Sequence, residues 1–282
     1  MDRELVLAVL AALLGGVALT LAGWWPGGAP DLSGGRAAER KAWRRLWLPF
    51  VPALFTLAAL AGWALNEPAD AERVPNLLIW GALPFTAVFL RSAWRALRSL
   101  QTRTTGLPAA TVGLLRPRVL VSPRIVQALD PAALAAALEH EQAHARHWDP
   151  LRLWLAQIGT DLLWPWPAAG NRQQRWKEAL EFARDDEARL GGVAGADLAA
   201  AIVAALRLTQ SAALPGVATL GADEAFLKRR VARLLQPLGA QAQQRHQGST
   251  IWMLLPALGI GLALLAGITF GEPLVRTLFA VA

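Results

Sequence analysis

Residues 138–150 read LEHEQAHARHWDP and carry three of the four histidines in the chain, His140, His144 and His147. HEQAH fits the pattern H-E-x-x-H. Two histidines four apart lie on one helix face, one turn from each other, so their imidazoles can converge on a single ion. Glu141 is turned about 100° round the helix from His140. It misses the ion yet can reach a water beside it. Zinc takes imidazole nitrogens at about 2.0–2.1 Å and can acidify such a water, whose proton a neighbouring carboxylate then takes. By composition this pattern arises by chance in roughly fewer than one such chain in a hundred. The bland alternative is a helix with polar His and Glu on its wet face.

Just upstream, Asp130-Pro131 supplies an N-cap and a first helical residue, and the Ala/Leu-rich run behind it favours helix. Pro150 breaks or kinks that helix after Asp149. Before it, RPRVLVSP (116–123) places a short β-branched run between prolines and predicts one strand. Beyond it, 151–164 is apolar with Arg152, Gln157 and Asp161 interspersed, a buried or interfacial helix that LLWPWP ends. Helices are expected over 173–190, 194–209 and 222–236.

The rest of the chain explains where such a segment sits. Hydrophobic residues make up 54% of the 282 and charged residues 17%, against about 45–50% and 25% for soluble domains. Four apolar stretches stand out: Leu5–Trp25, Trp47–Leu65, Leu77–Leu90 and Ile251–Phe270. The first is long enough for a membrane helix. Its flanks, with Asp2, Glu4 and no clear A-x-A site, favour a retained helix over a cleaved signal. Trp24-Trp25 looks like an interfacial anchor. The third is short, and snorkelling of the Arg91 and Arg95 stems would extend it.

Basic residues set an orientation. The first loop carries Arg36, Arg40, Lys41, Arg44 and Arg45, the second (NEPADAERVPN) is acidic, and Arg91, Arg95, Arg98 and Arg103 follow the third stretch. The positive-inside rule then puts both termini outside and residues 91–250 in the cytoplasm. The organisation is 1–90, three membrane helices with a basic loop; 91–250, the cytoplasmic region with HEQAH; and 251–282, a last membrane helix with a short tail. The net charge of +7 follows these membrane flanks, so the lipid bilayer, and not nucleic acid, is the partner it implies. No cysteine is present, which excludes disulfides, Cys-ligated zinc and a cysteine nucleophile.

A zinc site needs a third protein ligand. EALEFARDDEARL (178–190) offers Glu181 and Asp185, four apart on one face, with Glu178 a turn earlier. One can bind metal while the other holds a ligating imidazole from behind; solvated acidic residues on a charged helix are the bland reading. An oxyanion stabiliser is also needed, and the chain has no tyrosine. Arg230 or Arg233 in FLKRRVARLL (226–235) can serve, with His246 weaker; most of these charges otherwise read as a basic helix at lipid headgroups.

LLRPRVLVSP, LEHEQAHARHWD with Asp149 five residues past the motif, and EFARDDEARL together resemble the M56 family of membrane zinc peptidases, the family of the BlaR1 and MecR1 antibiotic-response receptors. Nearly the whole chain takes part. The resemblance implies a mainly α fold: multi-pass membrane helices with a cytoplasmic zincin-like (gluzincin) metallopeptidase region containing a short β element. It implies Zn2+ held by His140, His144 and Glu181, with Glu141 as general base. Asp185 would support a ligand from behind, and Asp149 would tie the end of the active-site helix to its surroundings. His147 is expected at the surface or helix end. Arg184 stands where the family usually has cysteine. Only about a dozen residues follow Phe270, so the penicillin-binding sensor of those receptors is not expected.

The implied activity is cleavage of a protein at the cytoplasmic face of the cell membrane, of a BlaI-type repressor or of the chain itself, with a homo-oligomer kept open. Two alternatives remain. One is an M48-type quality-control protease similar to HtpX, which shares the metal motif, although RPRVLVSP stands where an N-A-F-A-like stretch would be. The other is an inactive membrane scaffold or signalling subunit.

Overall fold

The computed structural model describes residues 3–24, 35–66, 74–101, 109–212, 221–238 and 251–281. The chain is mainly helical, as expected. Helices α1 (Arg3–Gly23) and α2 (Gly35–Trp47) lead through a 3-10 turn (Leu48–Phe50) into α3 (Val51–Asn66) and α4 (Asn76–Gln101). A hairpin of β1 (Ala109–Val112) and β2 (Arg118–Val121) precedes α5 (Pro123–Ala128), α6 (Pro131–Arg146), α7 (Asp149–Leu162), α8 (Pro167–Leu190), α9 (Gly195–Ala212), α10 (Gly221–Leu234) and α11 (Ile251–Val281).

Among the described residues, four helical stretches are long and apolar enough to cross a membrane: Glu4–Gly23, Gly35–Leu65, Asn76–Leu100 and Gly259–Val281. They pack as a bundle whose core includes Val6, Leu10, Leu60, Trp63, Leu78 and Val275. Helices α3 and α11 run side by side in the same direction, because Phe55 meets Gly259 and Trp63 meets Gly271. Their backbones touch: a Cβ on Gly267 would lie 1.8 Å from the Ala59 carbonyl oxygen, and one on Gly62 2.1 Å from that of Leu264. Small residues permit such crossings where apolar surroundings give no hydrophobic drive to pack.

The metal-motif region packs at one end of this bundle. Trp24 at the end of α1 lies against Trp166, at 5.1 Å between ring centroids. Phe50, just before α3, meets Gly159 of α7. On α4, Ser92 donates to the Ile158 carbonyl at 3.3 Å and Arg95 to Asp161 at 3.0 Å. The helix of the third stretch runs on to Gln101, and Arg91 and Arg95 within it lie 3.9 and 3.0 Å from the buried Asp161 carboxylate of α7. The last helix, α11, continues past Phe270 to Val281, and Glu272 and Arg276, four apart, pair with each other along it. Trp25, residues 26–34, Arg103, His246 and most of the acidic second loop lie outside the described residues.

The expected strand is present as β2, but it has a partner the sequence did not announce. β1 pairs with it antiparallel, Thr111 opposite Val119. Gly113 turns the hairpin at φ 95. Ser122 caps α5, and the Asp130 carboxylate accepts from Ala133 N–H at 2.8 Å to cap α6. The basic loop between α1 and α3 contains a docked helix: α2 buries Ala38, Glu39 and Leu46, the last packing with Ala156, Trp176 and Leu180.

Candidate metal centre

Helix α6 presents His140 and His144 on its buried face, their Nε2 atoms 3.1 Å apart. Helix α8 crosses above them and brings down Glu181, whose two oxygens lie 3.5 Å from His140 Nε2 and 3.6 Å from His144 Nε2. These three side chains form a cluster able to hold a metal ion.

Each imidazole is braced from behind by a carboxylate. His140 Nδ1 faces Asp185 Oδ1 at 3.0 Å, and His144 Nδ1 faces Asp149 Oδ2 at 2.8 Å. With both Nδ1 atoms donating, both Nε2 lone pairs point at one another and at Glu181. Acceptors so arranged repel unless a cation or a proton lies between them, and this donor set fits a metal ion for that reason.

The same crowding holds a proton on His140 when nothing else competes. Burial works against the charged imidazolium, as does Arg230. The hydrogen bonds and charges of Asp185 and Glu181 outweigh both and lift the ring to about 9. Burial likewise raises the Glu181 carboxyl, but Arg230 and the two histidines hold it well below the usual carboxylate range.

Local backbone chemistry delivers Asp149 to His144. Trp148 sits in the left-handed region at φ 55, an uncommon conformation for a bulky side chain. It breaks the chain between α6 and α7 and lets the first residue of α7, Asp149, reach His144 in the last turn of α6. Asp149 is 1% exposed. Arg184 clamps it, with Nε 2.5 Å from Oδ2 and Nη2 2.9 Å from Oδ1, and Arg152 adds a third donor at 3.0 Å. Burial alone would raise this carboxyl, but His144 and Arg184 hold it far below the ordinary range.

Arg230 comes from α10. Its guanidinium donates to Asp185 at 2.6 and 2.8 Å, lies 2.8 Å from a Glu181 oxygen, and approaches His140 Nε2 at 3.0 Å. Arg233, the other candidate, turns away to Asp186 at 2.8 Å. Glu178 pairs with Arg229 at 3.2 Å, outside the cluster. His147 sits at the end of α6 and bonds Glu187 at 2.8 Å, also away from the ligand face.

Glu141 opens onto a cavity of about 410 Å³ that it lines with His140, His144, Glu181 and Arg230. Its partner is Thr111 of β1, whose hydroxyl lies 2.8 Å from Glu141 Oε2 and 2.7 Å from the Glu141 carbonyl oxygen. Thr111, Arg184 and Arg152 were not anticipated as site residues. For Thr111 no local signal exists, because its position follows from hairpin pairing. For Arg184 a signal was present in its departure from the cysteine usual in the motif that this stretch resembles.

Fold and site together define a helical protein with four helices able to span a membrane and a His-His-Glu cluster able to hold a metal at one end of them. In comparison with known proteins, the chain matches no family model, no curated protein and no solved structure.

Proposed function

We propose that this protein is a membrane-anchored zinc metalloendopeptidase of the M56 type, with His140, His144 and Glu181 as ligands. One observation carries the reading. The two Nε2 atoms lie 3.1 Å apart, each faces one oxygen of Glu181 at 3.5 or 3.6 Å, and one ligand atom from each of the three side chains lies within 4.8 Å of the others. The two imidazoles are thus close to the roughly 3.3–3.4 Å between corners of a tetrahedral site with bonds of about 2.0–2.1 Å, and a small turn of the carboxylate supplies the third corner. Two carboxylates brace the imidazoles, the usual support for ligating histidines.

Bound there, zinc would polarise a peptide carbonyl and acidify a water. Glu141 would take the proton from that water and return it to the departing amine. Thr111 would hold the Glu141 carboxylate toward the cavity. Arg230, already paired with Asp185 and Glu181, has its guanidinium edge on the cavity and would donate to the carbonyl oxygen as negative charge builds there. The apolar lining, including Ile125, Leu198, Ile202 and Leu227, would shed water around the reacting bond.

The basic flanks favour a site at the cytoplasmic face with both termini outside. The substrate would be a cytoplasmic protein segment, a BlaI-type repressor or this chain itself. Purified protein is expected to hold about one zinc per chain. Glu141→Gln should keep the metal and lose cleavage; a variant that cuts as fast as wild type sinks the assignment. Substrates trapped on Glu141→Gln separate a single repressor from the many misfolded membrane proteins that a quality-control role would yield. A reporter after Ala282 should read outside.

A further inference from the structure

We infer that α2, the helix that opens the second membrane-compatible stretch and runs on into α3, sets the metal site through Glu39. This carboxylate is a positioning residue for His144 and acts through Arg152 and Asp149. The inference rests on the metal reading above and adds a route by which the membrane bundle reaches it.

Glu39 is 4% exposed. It lies on the inner face of α2 near an apolar cluster of Leu46, Ala156, Trp176 and Leu180. A carboxylate is buried only where its charge is answered. Two donors answer this one: the Arg152 guanidinium, through Nη2, and the Trp176 indole N–H at 3.3 Å. Arg152 then spans two carboxylates. Its Nη1 reaches Asp149 Oδ1 at 3.0 Å, while Asp149 Oδ2 faces His144 Nδ1 at 2.8 Å. The guanidinium is also fixed in its plane, 4.7 Å from the ring centre of Trp43 on α2 and 5.5 Å from that of Trp176. Every link from α2 to the ligand is thus a direct contact between buried or half-buried groups.

Asp149 has two guanidinium partners with different attachments. Arg184 belongs to α8, the helix that also carries Glu181, and moves with the site. Arg152 is gripped by α2, which is continuous through the 3-10 turn with α3. A displacement of α2 on α8 therefore reaches the Asp149 carboxylate through Arg152 and turns the His144 ring. A second strap ties the same elements, Arg36 of α2 to Glu187 at 2.9 Å, with Glu187 also taking His147 at 2.8 Å. The end of α6 that holds His144 is thereby bound to α2 at two points.

The test is a double-mutant cycle read by metal binding on the full chain in detergent. Glu39→Ala should weaken zinc binding about tenfold, the low end of what outer partners of metal ligands contribute. It should also shift the d–d absorption of the cobalt-substituted protein, which reports ligand geometry. Glu39→Gln keeps an oxygen for Arg152 and should restore most of both. In an Asp149→Asn background, Glu39→Ala should have no further effect, since contacts in one network are not additive. If Glu39→Ala does not fold, Arg152→Lys carries the same cycle, because one ammonium cannot span both carboxylates. Zinc affinity and cobalt spectrum unchanged in a folded variant overturn the inference, as does a loss that persists undiminished with Asp149→Asn. A wild-type protein that takes up no zinc overturns the metal reading and this inference with it, an outcome distinct from a zinc-binding wild type indifferent to Glu39.

Discussion

Zinc binding should be held back by a proton until well above neutral pH. His140 Nε2 must lose its proton before it can accept a metal, and the ring titrates at about 9 against an ordinary 6.5. At pH 7 a group of that kind is roughly 99% protonated, so proton competition weakens apparent affinity about 100-fold relative to the plateau; an unperturbed histidine would weaken it less than about twofold. The perturbation is pH alone. The assay is competition for zinc against a chelator of known affinity, from about pH 6.5 to about pH 9.5. The His140 step should make affinity climb about tenfold per pH unit from neutrality and level off near 9.

The metal-free protein should show the opposite trend. A raised folded-state pKa stabilises the fold fully below the unfolded value of 6.5, and that stability is lost as pH rises through about 9. The lift is worth on the order of 3 kcal/mol. Thermal unfolding of the metal-free protein should therefore weaken across this window, and zinc should restore stability most at its alkaline end. Affinity that is already flat above pH 7 would mean that Asp185 and Glu181 do not hold a proton on His140, and the electrostatic account of the cluster would fail.

Three further outcomes follow from single contacts. Arg230→Ala should lower kcat on a peptide substrate by about 10²–10³ while changing KM little, the signature of a donor used in the transition state; an equal loss in KM alone would make it a binding residue. Thr111→Val removes the hydroxyl partner of Glu141, and since a hydrogen bond to a charged group is worth about 1.5–3 kcal/mol, kcat should fall about 10- to 100-fold, with Thr111→Ser restoring it. Gly267→Leu would force a side chain into the Ala59 backbone; overpacking costs about 1–3 kcal/mol or more, so the melting temperature in detergent should drop, whereas Gly261→Leu, where an added Cβ meets nothing within 4 Å, should leave it in place.

What the sequence made legible was whatever depends on local spacing. His140 and His144 share a face because they are four apart, and so do Glu181 and Asp185. Asp130-Pro131 starts α6 by the same local chemistry. What stayed hidden needed a partner from elsewhere. The AATV of β1 has no alternation, and only pairing with β2 makes it a strand and brings Thr111 to Glu141. Arg95 looked like the end of a span because Asp161, to which it donates, lies 66 residues away in sequence. Glu39 sat unnoticed in a run of basic residues, where a lone carboxylate reads as surface. Helical phase alone cannot tell which residue of α2 faces Trp176.

Arg184 shows how these hidden contacts depend on one another. The motif this chain resembles carries cysteine there, which brings no charge. An arginine 1% exposed brings a full positive charge into the core, and it persists only if answered. Asp149 answers it, but Asp149 also faces His144 and a second guanidinium, Arg152. One carboxylate cannot neutralise two guanidiniums, so a second acid is required near Arg152, and it is Glu39 of α2. Glu187, 3.6 Å from Arg184, also accepts from Arg36 of the same α2 and so ties that helix to the site a second time. Arg184→Cys would release Asp149 from its strongest clamp and leave Arg152 as its only guanidinium partner among the described residues. The hold of α2 on His144 should then grow, and Glu39→Ala should weaken zinc binding more in that background than in the wild type.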